Sequence, residues 1–193
     1  ADSNLRVIYP SKSSQYFHAL RMQSKEKNNI TPMIIMTPKS LLRHPFAASS
    51  VEEFTNNEFA KIIEYEPENK NNVHNLVLCS GKIIVDLLDE QNKPKNQNCT
   101  IVSVEELYPF PFKELESILI KNKNINQIIW IQEEPKNRGA WQFVSNQLNK
   151  SSLLKDLELK YYGSTERAST SVGTSELHKI QIETITSNFS QLK

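Results

Sequence analysis

Three loops gather the residue types that could do chemistry. Residues 37–45 (TPKSLLRHP) directly follow an apolar run and set Lys39, Ser40, Arg43 and His44 close together. A guanidinium can grip a phosphate or carboxylate through two parallel N–H bonds, and an ammonium and a hydroxyl beside it suit the same anion. The same residues would also serve as a solvated interdomain turn with Arg43 paired to a carboxylate, and the residues alone leave both readings open. Residues 132–141 (QEEPKNRGAW) hold adjacent carboxylates, Glu133 and Glu134, with Lys136 and Arg138 close behind. Neighbouring carboxylates work as acid and base only where their environments separate their pKa values, so the expectation is a salt-bridged loop that positions the helix after it. Residues 105–112 (EELYPFPF) carry Tyr108, Phe110 and Phe112 among prolines. This is the make-up of a rigid apolar plug against a neighbouring domain or subunit, or of a stacking surface.

Other chemistries find no support. There is no G-x-G-x-x-G, no G-x-x-x-x-G-K-[ST], no G-x-S-x-G and no H-E-x-x-H. The four glycines, Gly81, Gly139, Gly163 and Gly173, are too scattered for a phosphate cradle and sit where turns are expected. His18, His44, His74 and His178 lie in unrelated segments without metal-ligand spacing. Cys79 and Cys99 lie in apolar stretches, as small buried hydrophobes do, and fit a reducing compartment. No catalytic residue and no metal ligand is therefore assigned.

The loops need elements to hold them. An apolar stretch over 5–10 predicts a strand, and Ser11, Ser13 and Ser14 precede Tyr16, Phe17 and Leu20 at helical spacing. The run from Pro32 to Met36 predicts a strand buried on both faces, so residues 1–38 form one β-α-β unit. Between 39 and 72 the periodicity fades; Ser50 and Glu53 form a capping box for a short helix, and the stretch reads as an interdomain connection. From residue 73 strands and helices alternate. Strands are expected at 76–79, 100–104, 128–131 and 157–161, the last half-buried. Helices are marked by Ile84, Leu87 and Leu88, by Leu115, Ile118 and Leu119, by Trp141, Val144 and Leu148, and by Leu177, Ile180 and Ile185. Such alternation makes an α/β fold with a mostly parallel sheet covered on both faces.

The 193 residues can bury a substantial core. A formal charge of +1, from 23 basic and 22 acidic residues scattered along the chain, gives no sign of a nucleic-acid partner. No stretch reaches the ~18 apolar residues of a membrane span, and the N-terminus lacks a signal-peptide core, so a soluble protein is expected.

The strings QYFHALR, MTPKSLLRH, LCSGK, EELYPFPF and QEEPKNRGAW, in this order, resemble the C-terminal region of the 2-oxoglutarate dehydrogenase decarboxylase family. The resemblance runs from about Val7 to His178. It implies an α/β three-layer sandwich with a mostly parallel five-stranded sheet and one antiparallel edge over residues 73–193. Residues 1–38 would be the end of the domain that binds the pyrimidine of thiamine diphosphate, and 39–72 the linker. It implies a homodimeric oxidoreductase of the tricarboxylic acid cycle that uses thiamine diphosphate and magnesium. The enzyme would decarboxylate 2-oxoglutarate and succinylate the lipoyl group of the dihydrolipoyl succinyltransferase component of a multienzyme complex, in bacterial cytoplasm or mitochondrial matrix. The cofactor-holding and substrate-binding residues would lie in other segments, so this piece alone would be inactive and bind no cofactor. It would dimerise, wall the active-site entrance and bind a phosphate-bearing effector such as AMP or acetyl-CoA, with Arg43 the leading contact and Lys39, Ser40 and His44 beside it.

One turn departs from the pattern: Tyr161-Tyr162-Gly163-Ser164-Thr165 stands where the family has tyrosine-x-glycine-arginine-proline, and an arginine comes only at Arg167. Two rival readings are the C-terminal domain of another transketolase-type enzyme, against which PKSLLRH argues, and a regulatory or scaffold module without catalysis.

Overall fold

A computed structural model describes residues 4–27, 30–68, 73–91 and 98–192. The chain order is β1 (Arg6–Ile8), α1 (Ser13–Lys25), β2 (Met33–Ile35), short 3-10 turns at Lys39–Arg43 and Pro45–Ala47, α2 (Val51–Thr55), β3 (Ile62–Tyr65), β4 (Asn75–Cys79), α3 (Ile83–Gln91), β5 (Cys99–Val104), β6 (Glu106–Tyr108), α4 (Phe112–Lys121), β7 (Gln127–Pro135), α5 (Trp141–Leu148), β8 (Glu158–Ser164) and α6 (Ser175–Phe189).

The strands form two sheets, one of five strands in the order β3-β5-β4-β7-β8 and one of three in the order β2-β1-β6. In the larger sheet β5, β4, β7 and β8 are parallel and β3 joins the edge antiparallel, Ile62 opposite Val104. Because side chains alternate along a strand, each inner strand feeds two cores. Leu76, Leu78, Val102, Ile128 and Trp130 pack with Leu115 and Ile118 of α4 and Val144 and Leu148 of α5. Val77, Cys79, Ile101, Ile129 and Ile131 pack with Ile84 and Leu87 of α3 and Ile185 and Phe189 of α6. This is the expected three-layer α/β sandwich. The stretch read as a connection also supplies β3, whose IIEY gives no alternation to mark it. The PENKNN run falls largely on residues outside the described ones.

The smaller sheet corrects several expectations. β2 is an edge strand rather than one buried on both faces: Ile34 and Met36 are about half exposed. The face of α1 that turns inward is Ser14, Gln15, His18 and Ala19, and Tyr16, Phe17 and Leu20 face outward. Hydrogen bonding explains the inversion. Gln15 Oε1 accepts from the Ala60 N–H at 3.0 Å, the Ser49 hydroxyl oxygen accepts from the Ser14 N–H at 3.1 Å, and His18 Nε2 donates to the Glu53 carbonyl at 2.8 Å. None of Ser11, Ser13 and Ser14 caps α1, since Lys12 occupies that position. The capping box at Ser50 and Glu53 does form. In α6, Ile185 is buried as expected, but Leu177 and Ile180 are exposed and Phe189 takes the inward place.

Neither cysteine is in a disulfide, and both are buried in the α3/α6 core. Burial raises both thiols, Cys99 to about 12. Among the described residues no helix is long and apolar enough to cross a membrane.

Candidate functional site

The order of the larger sheet creates a switch point between β4 and β7. From β4 the chain crosses through α3 to β5 on one side, while β7 lies on the other side and leads into α5 on the opposite face. In an open α/β sheet such a point opens a crevice beyond the carboxyl ends of its strands. Here Ser80, Gly81 and Lys82 leave β4, and Gln132, Glu133 and Glu134 end β7.

Gln132 organises that edge. Its Oε1 accepts from Trp130 Nε1 at 2.9 Å and from the Trp141 N–H at 3.0 Å, and its Nε2 donates to the carbonyls of Glu134, Pro135 and Arg138. One buried amide thus fixes the whole loop and the start of α5. Gly139, at φ 64°, lies so close that a Cβ there would fall 2.9 Å from the Gln132 amide. The two glutamates differ. Glu133 pairs with Lys82 at 2.5 Å and its carbonyl accepts from Gln181 Nε2. Glu134 is held above the usual carboxylate range, first by burial and then by Glu133. It lines a cavity of about 390 Å³ with Tyr9, Tyr108, Trp130 and Phe143. Tyr9 packs on Gly81, and burial, followed by Glu134 and Glu133, pushes its hydroxyl up to about 12. The loop is therefore the salt-bridged, helix-positioning device its residue types suggested.

The aromatic loop is a plug. The rings of Tyr108 and Phe110 meet Phe143 edge-on at 6.1 and 6.2 Å, and Phe110 meets Phe112 at 5.0 Å. Its first residues form β6 in the smaller sheet, so the plug ties the two sheets together.

The cationic loop borders a second cleft, of about 780 Å³, between the turn into α1 and residues 37–48. Of the four residues singled out there, Arg43 and His44 line it, beside apolar Leu41, Leu42 and Tyr16. Lys39 and Ser40 are exposed on the same 3-10 turn and do not line it. Among the described residues no carboxylate pairs with Arg43. His44 Nδ1 accepts from the Phe46 N–H at 3.3 Å, capping the next turn. Sequence reasoning missed Lys12, which reaches this cleft but is paired with Glu53 at 2.9 Å.

At the departing turn, Tyr161 donates to the Ser164 carbonyl at 3.0 Å and lies under Lys136, whose Nζ is 5.7 Å from the ring centre. Arg167 takes part through its backbone, exchanging two hydrogen bonds with the Asn137 side chain. Among the described residues no three His, Cys, Asp or Glu side chains gather so as to hold a metal ion.

A parallel-sheet sandwich with loops massed at the carboxyl ends of its strands, tied through a shared aromatic corner to a second small sheet, defines a two-sheet α/β module. Residues 48–189 match the profile of the 2-oxoglutarate dehydrogenase C-terminal family, and the chain belongs to that family. It is 43% identical over 96% of its length to a 2-oxoglutarate dehydrogenase E1 component of Geobacillus sp. (strain WCH70), covering 20% of that protein. It is 41% identical over 94% of its length to an oxoglutarate dehydrogenase of Buchnera aphidicola subsp. Baizongia pistaciae, again covering 20%. The chain thus spans about a fifth of the length of these curated relatives.

Proposed function

We propose that the chain serves as the C-terminal part of a 2-oxoglutarate dehydrogenase, a thiamine-diphosphate-dependent oxidoreductase. The observation that carries this is the near-complete alignment, at 43% identity over 96% of the chain, with an E1 component of that name. In this layout residues 1–38 end the pyrimidine-binding domain, 39–72 are the connection, which also lends β3 to the sheet, and 73–193 are the C-terminal domain. Bound thiamine diphosphate would supply the electron sink for decarboxylation. In this reading other segments of the enzyme hold the cofactor. The residues here shape the assembly instead: Gln132 and the Lys82–Glu133 pair fix the loops at the switch point, and the half-exposed Ile34 and Met36 await cover from the rest of a homodimeric enzyme. Its partner is the dihydrolipoyl succinyltransferase component. The bacterial source of the relatives favours a bacterial cytoplasm over a mitochondrial matrix.

The test is an assay of the enzyme that contains this segment. It should reduce an electron acceptor with 2-oxoglutarate and not with pyruvate, and the reverse preference would overturn the assignment.

For the cleft, Arg43 is the phosphate contact of an adenine-bearing effector, with His44 on its wall and Lys39 and Ser40 as outer neighbours. The support is a cation with no carboxylate partner among the described residues, beside an apolar wall. In calorimetry with AMP and acetyl-CoA, Arg43→Ala should weaken binding about tenfold or more, the effect of losing a charge-assisted hydrogen bond. Equal affinities would remove Arg43 from the site.

A further inference from the structure

The corner where the chain leaves the larger sheet for the smaller one is built around a carboxyl group. Glu105, between β5 and β6, has no exposed surface. Its N–H donates to the Lys61 carbonyl at 2.9 Å and its carbonyl accepts from the Tyr9 N–H at 2.8 Å. Its Oε2 accepts from the Ser11 N–H at 2.7 Å and its Oε1 from the Ser103 hydroxyl at 2.6 Å. The approach to β3, the end of β1, the turn into α1 and β5 itself all meet on this one residue. The turn into α1, residues 10–13, is also a wall of the cleft that Arg43 and His44 line.

From this geometry we propose that Glu105 is a proton-operated joint between the two sheets, setting how firmly the Ser11 wall of the cleft is held. Ionised, the carboxylate accepts from both Ser11 and Ser103. Protonated, it carries the hydrogen on Oε1, because on Oε2 the hydrogen would face the Ser11 N–H, itself a donor. The Ser103 oxygen then turns from donor to acceptor, and Ser11 keeps only a neutral hydrogen bond in place of a charge-assisted one.

The surroundings make the change accessible. Lys12, already paired with Glu53, is the cation that favours the ionised form. Tyr65 of β3 and Cys79 of β4 also face the group; burial first and Glu105 next hold the protons on both. Glu106, the next residue, forms an ion pair with Arg6 instead. Burial outweighs the opposing hydrogen bonds from Ser103 and Ser11 and lifts the Glu105 carboxyl to about 7. With the folded value above the unfolded one of 4.5, the folded chain binds the extra proton between them. The group's contribution to stability is then complete below the unfolded value and is lost as pH rises through about 7.

Carboxyl-carbon NMR of the chain across pH tests the joint. One glutamate should titrate near 7 and vanish in Glu105→Gln, and the Ser11 amide and Arg43 side-chain signals should move with the same midpoint in the parent alone. Ser103→Ala should shift that midpoint upward, since it removes a donor to the charged form; this arm holds should Glu105→Gln not fold. A Glu105 midpoint near the ordinary ~4.3, or a Ser11 amide that ignores the Glu105 titration, would overturn the proposal. No effector enters these measurements, so failure of AMP to bind leaves them unaffected.

Discussion

The two sheets solve the same problem with opposite means. In the larger one, helices are fastened by apolar packing: Leu78 and Trp130 on one face, Ile129 and Ile131 on the other, are essentially without solvent contact. In the smaller one, α1 is fastened through polar side chains, with Gln15 and His18 aimed at backbone groups of residues 53–60 while Tyr16, Phe17 and Leu20 lie outside. Apolar packing is non-directional and scales with area, whereas a buried hydrogen bond fixes a helix in one rotation and penalises loss of either partner. The larger sheet is thus held by its core, whereas the smaller one holds its helix in one orientation with Tyr16, Phe17 and Leu20 left exposed.

Mutations can break or sharpen that contrast. Leu78→Ala removes side-chain volume from a fully buried strand and should cost about 3 kcal/mol in chemical denaturation, within the range for buried leucines. Gly81→Ala should cost about 2 kcal/mol: the φ of 77° disfavours any side chain, and the new Cβ would fall 2.2 Å from the Tyr9 ring. Its loss should also loosen the contact between β1 and the end of β4, seen as faster amide exchange at Tyr9. Gln15→Ala leaves the Ala60 N–H without its partner and should cost about 1 kcal/mol, with exchange at Ala60 as the local readout. Leu20→Ser, on the outer face of the same helix, should change stability by less than about 0.5 kcal/mol. If Leu20→Ser proved costlier than Gln15→Ala, the polar fastening of α1 would be wrong.

Legibility in the sequence follows the same divide. Strands β4, β5 and β7 were plain because both of their faces are buried, which writes them as continuous apolar runs. α1 was legible as a helix but not in its orientation: its apolar stripe obeys helical spacing, and nothing local says that Gln15 and His18 will find backbone partners, and Ser14 the Ser49 hydroxyl, some 35 to 45 residues away. β3 was hidden because a four-residue edge strand takes its identity from β5 rather than from its own pattern. Among site residues, the loop 132–141 announced its charges, but the role of Gln132 depends on five partners that only the fold assembles. Arg43 was visible as a cation after a strand, whereas the separation of Lys39 and Ser40 from the cleft follows from the 3-10 turn's geometry.

β6 has a practical consequence. It comes from the middle of the larger module yet completes the smaller sheet, pairing Tyr108 with Val7. A shortened version beginning where the family profile begins, at residue 48, would strip β6 of its neighbour and uncover Gly81 where Tyr9 now rests. The naked backbone of that orphaned strand would invite pairing between molecules, so the tidy unit suggested by alignment is a poor place to cut.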